Sequence, residues 1–432
     1  MTAVIVFITF FVLLIISIPI SSSIAITSIV PSLILPKFPA NGTYLIREMI
    51  GGINSFPLLA IPMFIFSGII MARGGVSKKL FNFFTYFLGR IPAGVPCAVI
   101  ITCLFYGAIS GSAPATVAAV GSMTVPVLVS LGYDKKFSTA VVAVSGSLGV
   151  IIPPSIPFVL YCMASGASVG QLFIAGVVPG FLIAFCLMGY ALFYCLRNGE
   201  DKAKINEVVG DLHKQGFVKV FFDSFWALMT PVIILGSIYT GVASPTEAAV
   251  LSVFYALFIS LFVYKTLKLN ELYKIFVESV RTYAPLLFLL AAATAFARVL
   301  TFLKVPQLVS TAISDTFGGN KFLILLVVNL FLLMVGMVMD GGPAILILTP
   351  ILLPIMQTVG VHPLHFGVFL VTNLAIGFVT PPIGINLFVA SSITDVPVMD
   401  VAKHAIPFIL LFLLALVLIV AFPAISLALV GI

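Results

Sequence analysis

The sequence is far too apolar for a soluble protein. Its 432 residues are 61% hydrophobic and only 8% charged, whereas a soluble domain carries roughly 25% charged residues. The net charge of +7 comes from Lys and Arg scattered through short loops, which favours a topology signal over a nucleic-acid-binding surface. The composition therefore predicts one all-α, multi-pass membrane domain.

Long charge-free runs predict the membrane spans. Asp, Glu, Lys and Arg are all missing from residues 1–36, 91–133, 137–196, 341–394 and 404–432. A helical span needs about 20 apolar residues, so several runs hold two spans, or one span and a re-entrant piece. The longest polar loop, residues 197–219, is rich in Lys and Arg and is predicted to be cytoplasmic.

The chain contains an internal repeat at an offset of 228 residues. A proline recurs at that distance from Pro57, Pro126, Pro153, Pro154 and Pro179. Internal duplication is the usual build of secondary transporters, in which substrate and ions bind near the midplane where matching helices are broken. We therefore predict two repeat halves, residues 1–220 and 221–432.

Each half carries two matching Gly/Pro segments. A small, polar turn at residues 107–122 is matched at 337–352, and a Gly-x-x-x-Pro-Pro segment at 149–154 is matched at 377–382. Paired prolines remove two backbone donors and clash with the preceding helical turn. The second segment of each half therefore predicts a break within a helix.

The predicted broken helices cover about residues 137–165 and 363–393. Their freed carbonyls must line a cavity, bind an ion or bond to protein, because lipid cannot satisfy them. Carbonyls together with Ser and Thr hydroxyls form a hard oxygen cage suited to Na⁺, and free half-helix N-termini suit a substrate carboxylate.

Polar side chains cluster at these segments, and those of the second half are the more polar. The first half supplies Ser110, Ser112, Thr116, Ser145 and Ser147. At an offset of 228, Ser112 becomes Asp340, Ser145 becomes Asn373, Ile152 becomes Thr380 and Phe158 becomes Asn386. Asp340 interrupts a long charge-free run, so we interpret it as a cation or substrate ligand, with helix capping as the alternative. Asn386 either bonds substrate or satisfies broken backbone.

Other polar residues favour structural roles. Glu247, three residues after Ser244, is typical of a helix cap. Arg298 flanks a span and either attracts an anion or snorkels to the interface, and snorkelling is commoner. His362 and His365 lack the Glu of a metalloprotease helix, so a metal site there is a weak hypothesis.

Motifs of other functional classes are missing from the sequence. It has no H-E-x-x-H or G-x-S-x-G motif, which argues against an intramembrane enzyme. It has no G-x-x-x-x-G-K-[ST] segment, so any pumping is powered by an ion gradient or by another chain. The duplicated breaks favour alternating access, while an ion channel stays open as an alternative.

At these motifs the chain closely resembles the large permease subunit of the tripartite ATP-independent periplasmic (TRAP) transporters. The resemblance covers essentially the whole chain and is carried by GAISGSAPATVAAVGS, GSLGVIIPPSIP, GVASPTEAAV, MDGGPAILILTPILLPI and GFVTPPIGINLFVASSITD, in this order. It implies an inverted-repeat, elevator-type transporter in the bacterial inner membrane, driven by a Na⁺ gradient and without an organic cofactor. It also implies two partners, a small membrane subunit of about four helices and a periplasmic binding protein that delivers an organic acid.

The resemblance also implies site residues. Na⁺ would be bound, largely through backbone carbonyls, by Ser110, Ser112, Gly149, Ile152 and Pro154 and by Asn373, Gly377, Thr380 and Pro382. Substrate would lie between the two turns, against Ser112, Pro114, Thr116, Asp340, Gly341, Gly342 and Asn386. The turns would be the tips of re-entrant hairpins at about 107–131 and 337–358, opening to opposite faces.

Cargo and assembly stay open at this stage. C4-dicarboxylates and sialic acid are both compatible with the sequence, and no residue decides between them. The alternatives to the tripartite reading are a stand-alone Na⁺/carboxylate symporter and, less favoured, an anion channel.

Overall fold

The chain folds as helices throughout the part that the structure describes. The computed structural model describes residues 2–432, apart from the side chains at positions 310, 313–315 and 317. No strand occurs in that range, which confirms the predicted all-α class. Residue 1 of the predicted first half lies outside the described residues.

The helices follow one another with short connections. Those before residue 216 are α1 Thr2–Ile15, α2 Ile20–Ile34, α3 Gly42–Ile53, α4 Ala60–Arg73, α5 Val76–Leu88, α6 Gly94–Ser110, α7 Ala113–Ser130, α8 Lys135–Ser145, α9 Ile156–Ser165, α10 Val169–Asn198 and α11 Lys202–Lys214. Those after it are α12 Phe217–Tyr239, α13 Pro245–Phe258, α14 Leu272–Phe302, α15 Val305–Phe317, α16 Lys321–Val338, α17 Gly341–Thr358, α18 Pro363–Gly377, α19 Ile385–Thr394, α20 Val398–Ala421 and α21 Ala424–Leu427. The predicted boundary between the halves, at residue 220, falls inside α12.

Nine helical segments of the described chain are long and apolar enough to cross a membrane. Their outer surfaces carry large apolar side chains, for example Phe185 and Phe254, which are 64% and 66% exposed. Such a surface is costly in water and suits contact with lipid tails. The chain is therefore a multi-pass membrane protein.

The predicted hairpin and broken-helix ranges fall on pairs of consecutive helices. Helices α6 and α7 form the first hairpin and α16 and α17 the second, so the hairpins begin at Gly94 and Lys321 rather than near 107 and 337. The Gly/Pro motifs mark the tips, where the chain reverses, and the apolar first arms carry no such signal. The predicted broken-helix ranges cover α8 and α9 in one case and α18 and α19 in the other.

Hairpins and broken helices pack together across the two predicted halves. Helix α7 packs against α19, and α17 packs against α9. Each hairpin therefore contacts the last part of the broken helix from the other half. In a second group of helices, α4 packs against α13, and α14 packs against α2, α3 and α4.

The contacts between helix ends define two faces of the molecule. On the first, the Glu200 carboxylate accepts hydrogen bonds from the backbone N–H of Ala93 and the hydroxyl of Tyr133, at 3.0 and 2.5 Å. Lys79 of α5 forms an ion pair with Asp223 of α12 at 3.2 Å. We call the side that carries the loop 197–219 the basic face, because most Lys and Arg of the chain belong to the loops there.

Contacts between other helix ends define the second face. The Nε atom of Arg298 donates to the carboxylate of Glu48 at 3.1 Å, and the Nζ atom of Lys321 donates to the carbonyl of Gly360 at 3.5 Å. The latter bond joins the two ends of the second hairpin. We call this side the opposite face.

Candidate functional site

The tip of the first hairpin is a tight hydroxyl cluster. Helix α6 ends at Ser110, Gly111 turns the chain at a φ of +62°, and α7 begins at Ala113. The Oγ of Ser110 lies 2.9 Å from the Oγ1 of Thr116, and that Oγ1 donates to the carbonyl of Ser112 at 2.8 Å. The tip is thus closed on itself by side-chain hydroxyls.

The first break packs directly against this tip. The N–H of Ile156, at the start of α9, donates to the carbonyl of Gly111 at 3.3 Å. A Cβ built on Gly149 would lie 2.8 Å from the Ser112 carbonyl oxygen, and one built on Gly111 would lie 3.0 Å from that of Pro154. The structure therefore brings together the predicted set Ser110, Ser112, Gly149, Ile152 and Pro154.

The second break is less enclosed. Gly377 packs against the backbone of Gly336 in α16 so closely that no side chain fits. Thr380 Oγ1 donates to the carbonyl of Ile376 at 2.7 Å, within its own helical turn. Pro382 is exposed, whereas the whole of 146–162 is buried. Of the predicted second set, Asn373 and Gly377 lie in the core and Pro382 lies at its edge.

Three buried oxygen atoms near the breaks have no hydrogen-bond partner among the described residues. They are the Oγ of Ser145 and the Oδ1 atoms of Asn373 and Asn386. A buried unpaired acceptor costs about 1–3 kcal/mol, so a bound water or ion would stabilise these atoms. Ser145 and Asn373 occupy matching positions of the two halves. Side-chain oxygens beside broken backbone fit a Na⁺ ion.

A cavity of about 650 Å³ lies between the two hairpin tips. It is lined from the first tip by Ser110, Ser112 and Pro114 and from the second by Asp340, Gly341 and Gly342. Ile156 and Pro157, at the start of α9, complete its inner end. The N-termini of α7, α9 and α17 therefore all reach one cavity, and helix N-termini attract anions.

The two hairpin tips differ in how the N-terminus of the following helix is capped. Asp340 caps α17, since its Oδ1 accepts a hydrogen bond from the N–H of Gly341 at 2.8 Å. Ser112, at the matching position, makes no side-chain capping bond to α7. The N-terminus of α7 thus keeps free N–H donors for a ligand, while a carboxylate occupies that of α17. Asp340 is also accessible from the cavity.

Two predicted substrate residues do not line the cavity. Thr116 is fully buried within the tip. Asn386 is fully buried as well, and its Nδ2 donates to the carbonyl of Ala143 at 3.2 Å and to the Oγ of Ser147 at 3.1 Å. Asn386 therefore joins the second broken helix to the first, away from the cavity.

Sequence reasoning missed several residues of the site. Arg73 and Glu278 form an ion pair at the mouth of the cavity on the basic face. The Nδ2 of Asn373 donates to the Oδ1 of Asn329 in α16 at 2.7 Å. A lone Asn in an apolar run was the available signal for Asn329, and an Arg at the end of a span resembles ordinary snorkelling.

Comparison with known proteins identifies the family. Residues 7–425 match the family described as tripartite ATP-independent periplasmic transporter, DctM component. The chain is 42% identical over 97% of its length to the isethionate TRAP transporter permease protein DctMQ of Oleidesulfovibrio alaskensis, of which it spans only 65%. It is 40% identical to the C4-dicarboxylate TRAP transporter large permease protein DctM of Pseudomonas aeruginosa, over 87% of this chain and 86% of that one.

The chain belongs to the DctM family of TRAP transporter large permeases. This confirms the resemblance found in the sequence, and it makes the chain a transport protein rather than an enzyme. A solved structure, the YdaH transporter of Alcanivorax borkumensis, shares the fold with a TM-score of 0.64 at 14% identity, over 87% of each chain.

The remaining candidate residues of this DctM-family chain have structural partners. Ser244 and Glu247 form a reciprocal capping box at the start of α13, which confirms their predicted role. His362 caps α18, and the Nδ1 of His365 lies 3.2 Å from the Oγ of Ser426. Among the described residues, no group of three or more His, Cys, Asp or Glu could hold a metal ion.

Proposed function

We propose that the chain is the large permease of a tripartite symporter that uses a Na⁺ gradient to take up an organic acid. The observation that carries the proposal is the cavity between the hairpin tips. Its free α7 N-terminus suits a carboxylate, and the unpaired buried oxygens of Ser145 and Asn373, near the two breaks, suit Na⁺. The chain would then bind both an anion and a cation, as coupled uptake requires.

Helix boundaries support the proposed internal repeat. Helices α7 and α17 begin at 113 and 341 and end at 130 and 358, which are differences of 228 at both ends. Helices α5 and α15 differ by 229 at both ends, as do α9 and α19. The agreement extends over most of each half and is hard to explain without duplication.

The contacts at the hairpin bases support opposite orientations of the two halves. Glu200 ties both ends of the first hairpin to the basic face, through Ala93 and Tyr133. The Lys321–Gly360 bond lies at the base of the second hairpin, and this base is on the opposite face. Hairpins entering from opposite sides are typical of inverted repeats. Movement of the hairpins and broken helices together, against the other helices, would constitute an elevator mechanism.

Sidedness, substrate and partners follow from the same reasoning. The basic face would be cytoplasmic by the positive-inside rule, and delivery by a periplasmic protein suits a bacterial inner membrane. Substrates of the C4-dicarboxylate, isethionate or sialic acid class share an anionic group that the α7 N-terminus would hold. The isethionate relative is longer than this chain, and its additional residues would correspond to the small membrane subunit. A periplasmic binding protein would deliver the substrate.

Reconstitution tests the proposal. We would place the permease and its small membrane partner in liposomes, add the binding protein with labelled succinate, isethionate or sialic acid, and measure uptake with and without an inward Na⁺ gradient. We expect uptake that needs both Na⁺ and the binding protein. Uptake without the binding protein would support a stand-alone symporter, and currents indifferent to Na⁺ would support an anion channel.

A further inference from the structure

A second cavity, of about 410 Å³, lies toward the opposite face. It is bounded by α3, α9, α14 and α17, and its lining includes Ser55, Met163, Thr294, Arg298, Thr301 and Leu346. By the positive-inside rule this side is external. The cavity therefore faces the side from which a delivered substrate arrives.

The two cavities lie end to end along the same three helices. On α14, Leu286 lines the first cavity and Leu290 the second; on α17, Gly342 lines the first and Leu346 the second. Leu160 of α9 lines the first, and Met163 follows in the second. Residues four apart are separated by about one helical turn. The linings of the two cavities are thus about one helical turn apart on each of the three helices.

An Arg–Glu pair stands at the outer end of each cavity. Arg73 of α4 pairs with Glu278 of α14 at the first, and Arg298 of α14 pairs with Glu48 of α3 at the second. An offset of 228 carries position 73 to 301 and position 48 to 276, each within one helical turn of its counterpart. Each pair thus joins the two halves, and the arrangement is repeated at both mouths.

Arg298 has the chemistry to bind an anion. Its hydrogen bond to Glu48 uses Nε, and the described residues give its terminal guanidinium nitrogens no bond. Its side chain is 60% exposed, whereas that of Glu48 is 23% exposed. A guanidinium presents paired donors that match a carboxylate or sulfonate. An exposed ion pair is also weak enough for another anion to replace one partner.

We propose that Arg298 is an external anion-binding station, at which the carboxylate or sulfonate of an organic acid replaces Glu48 before the substrate reaches the first cavity. The proposal rests on organic-acid transport as proposed above, but its test does not need transport. It predicts that the second cavity attracts small anions, and that this preference depends on the charge of Arg298.

Thiol labelling measures that preference directly. Thr301 is exposed, lines the second cavity and lies one turn beyond Arg298. It would be changed to Cys in a chain that also carries Cys186→Ser, since the other native cysteines are buried. The complex in liposomes would be labelled with an anionic sulfonatoethyl and a cationic trimethylammonium-ethyl methanethiosulfonate. Thr240→Cys, also exposed on the opposite face, is the matched control position.

We expect the ratio of anionic to cationic labelling at position 301 to fall roughly fivefold in Arg298→Gln, as for removal of one nearby unit charge. The ratio should keep its parent value in Arg298→Lys and rise in Glu48→Gln. At position 240 the ratio should be the same in all of these variants. Excess succinate or isethionate should slow anionic labelling while Arg298 is present. An equal ratio in the parent and Arg298→Gln, or no response to Glu48→Gln, would overturn the proposal. Because labelling needs no uptake, loss of transport with the preference intact would count against the proposed function alone.

Discussion

A Cβ atom on Gly149 would lie 2.5 Å from the Oγ1 of Thr116, so the first break touches the hairpin tip through a bare backbone. Real Cβ atoms essentially never approach other heavy atoms so closely. The contact places the carbonyls of the break beside the hydroxyl cluster of the tip. Any side chain at position 149 must push the tip and the break apart.

Gly149→Ala should therefore damage both stability and transport. Overpacking of a close-packed site costs about 1–3 kcal/mol, and the displacement would spoil the proposed Na⁺ ligands. We expect a lower melting temperature and uptake that needs more Na⁺. Gly189→Ala in α10 is the control, since nothing lies within 4 Å of its added methyl group. Equal behaviour of the two variants would contradict the role of the close contact.

Substitutions at Asp340 separate its charge from its role as a helix cap. Asn caps helices about as well as Asp, so Asp340→Asn should keep the melting temperature while losing most Na⁺-driven uptake if the charge binds an ion or orients substrate. Asp340→Ala should lose uptake and about 1 kcal/mol of stability as well. Uptake by Asp340→Asn at the parent rate would assign Asp340 to capping alone.

The sequence predicted those parts of the fold that local chemistry decides. Paired prolines marked both breaks, Gly/Pro turns marked both hairpin tips, and the charge-free runs marked the spans. The position of Asp340 between two such runs marked it as a candidate, and it lines the cavity. Each of these features depends on residues close together in the chain.

Contacts between segments that are far apart in the chain could not be predicted from the sequence. Asn373 and Asn329 are 44 residues apart and Arg73 and Glu278 are 205 apart, and no local pattern specifies either pair. The burial of Asn386 against Ala143 was missed for the same reason. The proposed repeat also did not predict that Pro382 is exposed while the first break is buried.

The Asn373 side chain offers a test of the proposed ion site. Its amide nitrogen is held by Asn329 and by the carbonyl of Phe369, both at 2.7 Å, while its Oδ1 is buried without a partner. Asn373→Ala should raise the Na⁺ concentration for half-maximal uptake roughly tenfold, the effect of one lost ligand of about 1–3 kcal/mol. Asn329→Ala removes only the positioning bond and should have a smaller effect. A Na⁺ dependence unchanged in Asn373→Ala would remove this oxygen from the site.

Ser112→Asp tests whether the free N-terminus of α7 binds the anionic group of the substrate. The change places at the first tip the residue that the second tip already has at Asp340, and the new carboxylate would occupy the free N–H donors of α7. We expect a preserved or slightly higher melting temperature, because a capping residue is added, together with at least roughly tenfold weaker binding of the organic acid. Binding would be measured by calorimetry on the purified complex at saturating Na⁺. Ser122→Asp, further along α7 at the cavity wall, is the control for negative charge alone, and equal losses in both variants would show general repulsion rather than competition for the helix N-terminus.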